Sequence, residues 1–245
     1  MLEHHTDAKR INEIVNHPSI LPWVKGNNTT LDLTALAQNP RHVCLVGEHG
    51  CVIFVKHQPG VFEYHTSVLP EGRGAWMLAG AKYAFRWMFT HSDAFELMTM
   101  CPDGNIAAKA GARAVGCSQV FRTRPIWPAD KGLVPVDVWS IILQNWIKQT
   151  PELAETGKLF HDKLQQKYTA LGKTDPIHEE DAVHNQYAGC AYEMMQHGQI
   201  NKAICTYNRF AALAGYKLIS AAWEPVIDIF EAKLRIKGDD FEVIS

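Results

Sequence analysis

The most constraining feature of the sequence is a change of periodicity at residues 68–76, which read VLPEGRGAW. Before it, three apolar, β-branched segments separated by turn sequences predict strands at 42–47, 51–56 and 61–69. After it, residues 75–90 carry apolar side chains at helical spacing and contain no proline. This order, an antiparallel meander leading into a long helix, predicts an α+β protein. It argues against a dinucleotide-binding Rossmann fold, whose glycine loop opens a βαβ unit.

Short helices and strands make up the rest of the N-terminal region. We predict helices at 6–16, 30–37, 105–115 and 144–148, and strands at 96–100, 120–124 and 136–143. Gly116 directly follows the helix 105–115 and is expected to cap its C-terminus. His4 and His5 precede the first predicted helix, and we expect them to form a disordered end.

The composition changes near residue 150, and we predict a first domain at 1–150 and a second at 151–245. The second is predicted to be a helical extension that ends in a small β-hairpin. Its predicted elements are helices 152–171, 181–196 and 200–214 and strands 233–237 and 241–244. The last two helices are similar to one tetratricopeptide-type unit, in which small residues such as 188–191 allow close approach. Because one unit cannot bury its faces alone, it would dock on the first domain or on a partner.

Composition and charge restrict the class of protein. Hydrophobic residues make up 47%, charged residues 20%, and the net charge is −2, as in ordinary soluble domains. No basic run predicts binding to nucleic acid, and no apolar run is long enough to cross a membrane. The six cysteines are scattered without a CxxC pair, which favours buried thiols in a reducing compartment. With no apolar signal-peptide core at the N-terminus, we expect a cytoplasmic protein.

The glycine-bearing loop before the helix 75–90 is typical of an anion site. The first turn of a helix has backbone N–H groups without partners and a partial positive charge. Gly72 and Gly74 would let this backbone approach an anion closely, and Arg73 adds a fixed positive charge. Together these features predict a pyrophosphate site. The alternative is a tight strand-to-helix turn without a ligand.

Two motifs in order make residues 42–121 resemble the GNAT acetyltransferase family. They are Val68, Pro70, Arg73 and Gly74 in the loop, and Asn105, Ala107, Ala108 and Gly116-Cys117 around the later helix. The resemblance implies an α/β/α layered acetyl-CoA-binding fold with a mixed, mostly antiparallel sheet. It also implies an N-acetyltransferase that acts on an unidentified amine.

The resemblance assigns cofactor-binding roles to particular residues. The loop amides would hold the pyrophosphate of acetyl-CoA, the end of the strand would bind the pantetheine arm, and the asparagine would face the cofactor. The residues so assigned are Val68, Leu69, Arg73, Gly74, Ala75, Trp76 and Asn105.

Three positions depart from the family pattern. Trp76 and Leu78 stand where further loop glycines are usual, so the tryptophan would crowd the phosphates. Ala112 stands where the family often has a tyrosine as general acid, so the leaving thiolate would be protonated from elsewhere. The direction of the Trp76 ring distinguishes a usable cofactor groove from a filled one.

Glu63 and His65 are the candidate catalytic bases. They alternate with Tyr64 along the strand 61–69 and therefore share one of its faces. A carboxylate or an imidazole there could take the proton of an acceptor amine. The alternative is that both are solvent-facing side chains, and a one-residue shift of register would replace them with Tyr64.

A non-catalytic role is the alternative function. The segments 16–18 (NHP) and 64–66 (YHT), together with the loop and helical tail, are similar to GNAT-like proteins encoded in tailed-phage genomes. This resemblance implies a virion or assembly protein with virion partners, located in the host cytoplasm or in the virion. Fold alone does not decide between these functions.

We predict no metal site. The densest histidine cluster, residues 178–184, lacks the His-Glu-x-x-His spacing that stacks two imidazoles on one helix face. Its acidic residues are explained by a loop that opens a helix. No serine-nucleophile elbow or phosphate-binding P-loop sequence is present either.

Overall fold

The computed structural model describes residues 2–129, 132–170, 182–213, 233–237 and 240–244. The chain divides into two compact units. One comprises Met1–Phe89 with Ala94–Leu143, and the other Thr90–Asp93 with Gln144–Ser245.

The first unit is built on a mixed sheet. Its strands are β1 Glu3–His4, β2 Val43–Gly47, β3 Gly50–Gln58, β4 Val61–Val68, β5 Glu96–Pro102, β6 Ser118–Arg122, β7 Trp127–Ala129, β8 Gly132–Val134 and β9 Val136–Ile142. Seven of these described strands form one sheet in the order β1-β2-β3-β4-β5-β9-β6. The β4–β5 pair is parallel and the others are antiparallel. The predicted mixed, mostly antiparallel sheet is confirmed.

Helices cover both faces of this sheet. They are α1 Ala8–Val15, α2 Leu21–Val24, α3 Thr34–Ala37, α4 Ala75–His91 and α5 Ile106–Ala114. On one face, Ile11 and Ile14 of α1 pack in a core cluster with Cys51 and Ile53 of β3. On the other face, the ring of Phe85 in α4 lies edge-on to the ring of Tyr64, 4.9 Å away. The predicted α/β/α layering is therefore confirmed.

The N-terminal segment differs from the prediction. His4 belongs to β1 and pairs with Leu45, and its ring stacks on Trp87 at 5.5 Å. Leu2 beside it is 3% exposed. The expectation of a disordered end is wrong because this short segment is held by the edge of β2 and by an aromatic contact, neither of which is local in sequence.

A charged network ties β5, α5, β6 and β9 together. Asp137 is buried, and its carboxylate lies 2.6 Å from Lys109 Nζ and 3.2 Å from an Arg122 guanidinium nitrogen. Asp103 bonds the same two cations at 2.9 and 2.8 Å. Asp137 and Asp103 raise the pKa of Lys109 by accepting its hydrogen bonds. The network fixes the end of β5 against the start of α5.

Replacing Asp137 with asparagine is expected to destabilise this unit. The change removes one buried charge and weakens two charge-assisted bonds, at a cost of about 2 kcal/mol in the free energy of unfolding. Urea denaturation monitored by tryptophan fluorescence measures this loss. The matched variant Asp103→Asn affects the exposed member of the network and should lose less. Equal losses of unfolding free energy in the two variants would contradict the importance assigned to the burial of Asp137.

The second unit is described as helices and a terminal hairpin. Its elements are α6 Leu143–Lys148, α7 Leu153–Ala170, α8 Ala182–Gln196, α9 Ile200–Leu213, β10 Lys233–Lys237 and β11 Asp240–Ile244. The two strands pair antiparallel, with Ile236 opposite Phe241, as the sequence predicts. The proposed turn at Gly238 and Asp239 and most of the 178–184 histidine cluster lie outside the described residues.

Two glycines bring α7 and α8 into close contact. A Cβ atom on Gly157 would lie 1.9 Å from the carbonyl oxygen of Asn185, and one on Gly189 would lie 2.0 Å from that of Leu153. Only glycine permits such backbone approach. The small residue Gly189 thus serves the α7–α8 contact, whereas the sequence predicted close packing of α8 with α9.

Candidate functional site

Strands β4 and β5 diverge soon after they meet. Their parallel pairing joins Val61 to Glu96, Phe62 to Leu97 and Glu63 to Met98. Both strands are fully described, and they make no further ladder pairs although they continue to Val68 and Pro102. Glu63 therefore lies at the apex of a gap in the sheet, and beyond it the β5-facing backbone groups of β4 have no strand partner.

The loop after β4 brings the start of α4 to the open end of this gap. Leu69 N–H donates to the His49 carbonyl oxygen at 2.8 Å, and residues 70–72 form a turn of 3₁₀ helix. Gly74 has φ of +95°, a conformation that favours glycine. The first α-helical bond is from Leu78 N–H to the Gly74 carbonyl oxygen, 3.0 Å. Arg73, Gly74 and Ala75, at the start of this helix, are exposed, and the first turn of a helix leaves N–H groups without intrahelical partners.

Glycine suits positions 72 and 74 of the loop for different physical reasons. A Cβ on Gly72 would lie 2.5 Å from His49 Cβ, so close packing of the loop requires glycine there. A Cβ on Gly74 would meet no atom within 4 Å, so the space in front of the helix start is open. Gly72 thus fits the alternative of a tight turn, and Gly74 leaves room for an anion.

The Trp76 ring points away from the gap. It lies edge-on to the His49 ring at 5.5 Å and within 3.3 Å of where a Cβ on Gly50 would stand. It also lines a small crevice with Val52 and Thr66. These contacts place the indole over the β3 side of β4, opposite to the β5 side. The expected crowding of the phosphates is therefore not found, because the ring is used to pack the β2–β3 turn.

Asn105 serves as the N-cap of α5. Its side-chain oxygen accepts a hydrogen bond from Ala108 N–H at 3.0 Å. A capping side chain explains this residue without a ligand, and it stabilises the helix by about 1 kcal/mol.

Ala112, at the position of the family's tyrosine, is buried on α5. Nearby, the Tyr64 hydroxyl lies 3.3 Å from Cys117 Sγ, and burial raises the pKa of Tyr64 well above its ordinary value. The phenol is thus held neutral within the core.

Glu63 lies between two histidines. Its Oε2 atom is 2.7 Å from His57 Nε2, and its Oε1 atom is 3.5 Å from His65 Nε2. The Glu63 side chain is 6% exposed, whereas those of His57 and His65 are 51% and 45% exposed. The structure thus brings the two candidate bases together. The alternative that Glu63 faces solvent is wrong, because only 6% of its side chain is exposed and His57 lies 2.7 Å from its carboxylate.

His57 was missed by the sequence reasoning. It lies on β3 at a shift of register between Lys56 and Gln58, so it is an extra residue in the ladder with β4. The signal in the sequence was a histidine at the end of a strand whose partner strand carries Glu63. Recognising it required the register, which only the folded sheet supplies.

The histidine–carboxylate cluster and the α4 loop lie on opposite faces of the sheet. Glu63 and His65 are paired with Val55 and Ile53, which face α1, whereas Tyr64 faces α4. The gap between β4 and β5 connects these faces at the position of Glu63.

The surroundings of His65 favour its neutral form. Partial burial lowers the pKa of His65, and His57 lowers it further, whereas the Glu63 carboxylate raises it. The net shift is downward from the ordinary value of 6.5. At neutral pH the imidazole therefore has a lone pair available to accept a proton.

The described residues hold no group of three or more His, Cys, Asp or Glu side chains arranged to bind a metal ion. In the same described ranges, no helix has both the length and the apolar character that crossing a membrane requires.

Comparison with known proteins identifies the fold. No protein-family model and no curated protein matches the sequence. Among solved structures, the spermidine N-acetyltransferase of Vibrio cholerae in complex with CoA and spermine is similar, with a TM-score of 0.53 and 12% identity over 60% of this chain and 97% of that chain. Mutant forms of the spermidine/spermine N-acetyltransferase SpeG from Vibrio cholerae match with a TM-score of 0.51 and 12% identity, over 61% and 97%. The α/β part of this chain has the GNAT acetyltransferase fold.

Proposed function

We propose that the protein is an N-acetyltransferase that transfers an acetyl group from acetyl-CoA to an amine. The observation that carries the proposal is the gap between β4 and β5. It opens beside the exposed start of α4 on one face of the sheet and beside Glu63 and His65 on the other. Such an arrangement lets a donor held on one face react with an acceptor held on the other.

The residues at the start of α4 fit acetyl-CoA. The first-turn N–H groups and the exposed Arg73 match the charge of a pyrophosphate. The open space in front of Gly74 allows the phosphates to approach. Between Tyr64 and Val68, β4 is paired with β3 on one side, and its backbone groups on the β5 side offer donors and acceptors to the amides of a pantetheine arm. Acetyl-CoA, when bound, supplies a thioester that a neutral amine can attack.

His65 is suited to remove the proton from the acceptor amine. An ammonium group cannot attack an acyl carbon until it has lost a proton, and the lowered pKa keeps the His65 imidazole ready to accept one. Glu63, 3.5 Å away, stabilises the imidazolium that forms. The half-exposed position of His65 lets it meet an acceptor from solvent.

Replacing Arg73 with alanine is expected to weaken acetyl-CoA binding about tenfold, or about 1.4 kcal/mol. The reason is the loss of a guanidinium beside the phosphates. Calorimetric titration of acetyl-CoA into wild type and variant measures the difference. The matched control is Arg124→Ala, which removes an equally exposed arginine from the segment after β6. No binding to wild type at millimolar acetyl-CoA would reject the enzymatic proposal and leave the fold as an interaction scaffold.

The acceptor is tested by release of free thiol from acetyl-CoA in the presence of candidate amines. Polyamines belong in the panel because a protein of similar fold is a spermidine N-acetyltransferase. Free amino acids and peptides with free N-termini complete it. Thiol release that depends on one class of amine supports the proposal, and acetyl-CoA binding without transfer to any class argues against it.

A further inference from the structure

We infer that His57 is a positioning residue that holds Glu63 so that Glu63 can orient His65 as the base. This inference rests on the proposed acetyl transfer. It assigns a function to a residue outside the loop and strand motifs that indicated the site.

The Glu63 side chain is buried. A carboxylate with 6% of its side chain exposed requires a charged or hydrogen-bonding partner, because an isolated buried charge is strongly unfavourable. His57 supplies that partner at 2.7 Å, a distance typical of a charge-assisted bond. Nε2–H of His57 donates this bond to Oε2 of Glu63.

The other carboxylate oxygen of Glu63 differs from Oε2 in its hydrogen bonding. Oε1 of Glu63 is buried and has no hydrogen-bond partner within the described structure. His65 Nε2 lies 3.5 Å from it, slightly beyond a good hydrogen bond. Because His57 anchors Oε2, Oε1 is left facing His65. A small movement closes this contact, turns His65 Nε2–H toward Glu63 and leaves the Nδ1 lone pair for the acceptor.

The backbone of β3 determines the position of His57. His57 is the extra residue at the register shift between Lys56 and Gln58, and such bulges redirect side chains. Lys56 N–H donates to His42 Nδ1 at 3.1 Å, which ties the bulge to the start of β2. The position of His57 is therefore fixed by the surrounding backbone and does not depend on a flexible side chain.

The charged groups around His65 define the expected pH dependence. Glu63 on β4 and His57 on β3 act on it directly, and they change its pKa in opposite directions. His42 and Arg41, which precede β2, interact with one another, and His42 also interacts with His57. On β5, the residue paired with Glu63 is the uncharged Met98. Removing His57 thus removes a repulsive neighbour and leaves the whole Glu63 charge to His65.

The test compares His57→Leu with His57→Gln in the full-length protein. In His57→Leu, the pKa of His65 should rise, because the attraction of the Glu63 carboxylate is then no longer opposed by His57. The acid limb of the plot of kcat/KM against pH should move to higher pH with it. The rate at neutral pH should fall roughly tenfold to a hundredfold, because Glu63 is then misplaced. Glutamine can donate an N–H to Oε2, so His57→Gln should recover most of that rate.

Two readouts keep the inference separate from the proposed function. The ring protons of His65 are titrated by NMR, which requires no acceptor, and His5→Gln serves as a histidine control outside the cluster. An unchanged His65 titration in His57→Leu overturns the role of His57, even in an active enzyme. If the wild type binds acetyl-CoA but transfers the acetyl group to no amine, the proposed function is overturned, whatever the titration shows.

Discussion

The His65→Gln variant is expected to transfer acetyl groups about 10²- to 10⁴-fold more slowly than wild type at pH 7, which is the usual contribution of a general base. Glutamine keeps much of the volume and one N–H near Glu63 but cannot accept a proton at this pH. Steady-state thiol release with the best amine of the panel measures the change. Affinity for acetyl-CoA, measured by calorimetry, should stay the same because the proposed donor site lies on the other face of the sheet.

The same base predicts the pH dependence of the wild type. Since the pKa of His65 is lowered below 6.5, its neutral form predominates above that value. For an acceptor whose own protonation does not change in this range, the rate should therefore be constant near pH 7. It should fall only as the pH drops through the lowered pKa of His65. A limb centred above 6.5 would contradict the environment assigned to His65. His5→Gln should reproduce the wild-type profile, and a wild-type rate in His65→Gln would assign the base elsewhere.

The Gly189→Ala variant is expected to disrupt the packing of α7 on α8. Its Cβ would lie 2.0 Å from the Leu153 carbonyl oxygen and 2.9 Å from Gly157 N, which are backbone atoms and cannot rotate away. Overpacking of this kind costs about 1–3 kcal/mol or more in the free energy of unfolding. Gly157→Ala should behave alike, because its Cβ meets the backbone of Asn185.

Thermal unfolding followed by circular dichroism tests this prediction. We expect a lower melting temperature for the helical transition, with the transition of the sheet unit less affected. The matched control is Gly111→Ala in α5, where the new Cβ would lie 3.9 Å from Met77 Cε, an ordinary contact. There, the change should be neutral or stabilising by about 0.5–1 kcal/mol, as for a helix interior. If Gly189→Ala melts like wild type, the close approach of the two helices is wrong.

Elements with a strong local pattern were predictable. The alternation of β3 and β4, the helical spacing of α4 and the alanine-rich α5 all agree with the structure within a few residues. The β10–β11 hairpin was also predicted. In each, the side chains that become buried recur with the period of the element itself, so the pattern is present before the chain folds.

Elements stabilised by distant partners were not predictable. The two residues of β1 form a strand because β2 lies beside them, and the β7–β8 hairpin was missed. Gly189 packs on α7, whereas its sequence neighbourhood predicted close approach of α8 to α9. The direction of the Trp76 ring depends on the β2–β3 turn.

Local sequence patterns predict the strand–loop–helix order, a helix start suited to an anion, and a strand face shared by Glu63 and His65. These depend on local periodicity and on the backbone chemistry of glycine and helix ends, which neighbouring residues encode. The folded sheet was needed to show that β4 and β5 separate at Glu63, that this carboxylate is buried, and that His57 contacts it. Those features arise from pairing and burial between segments far apart in the chain, whose free energies no local pattern contains.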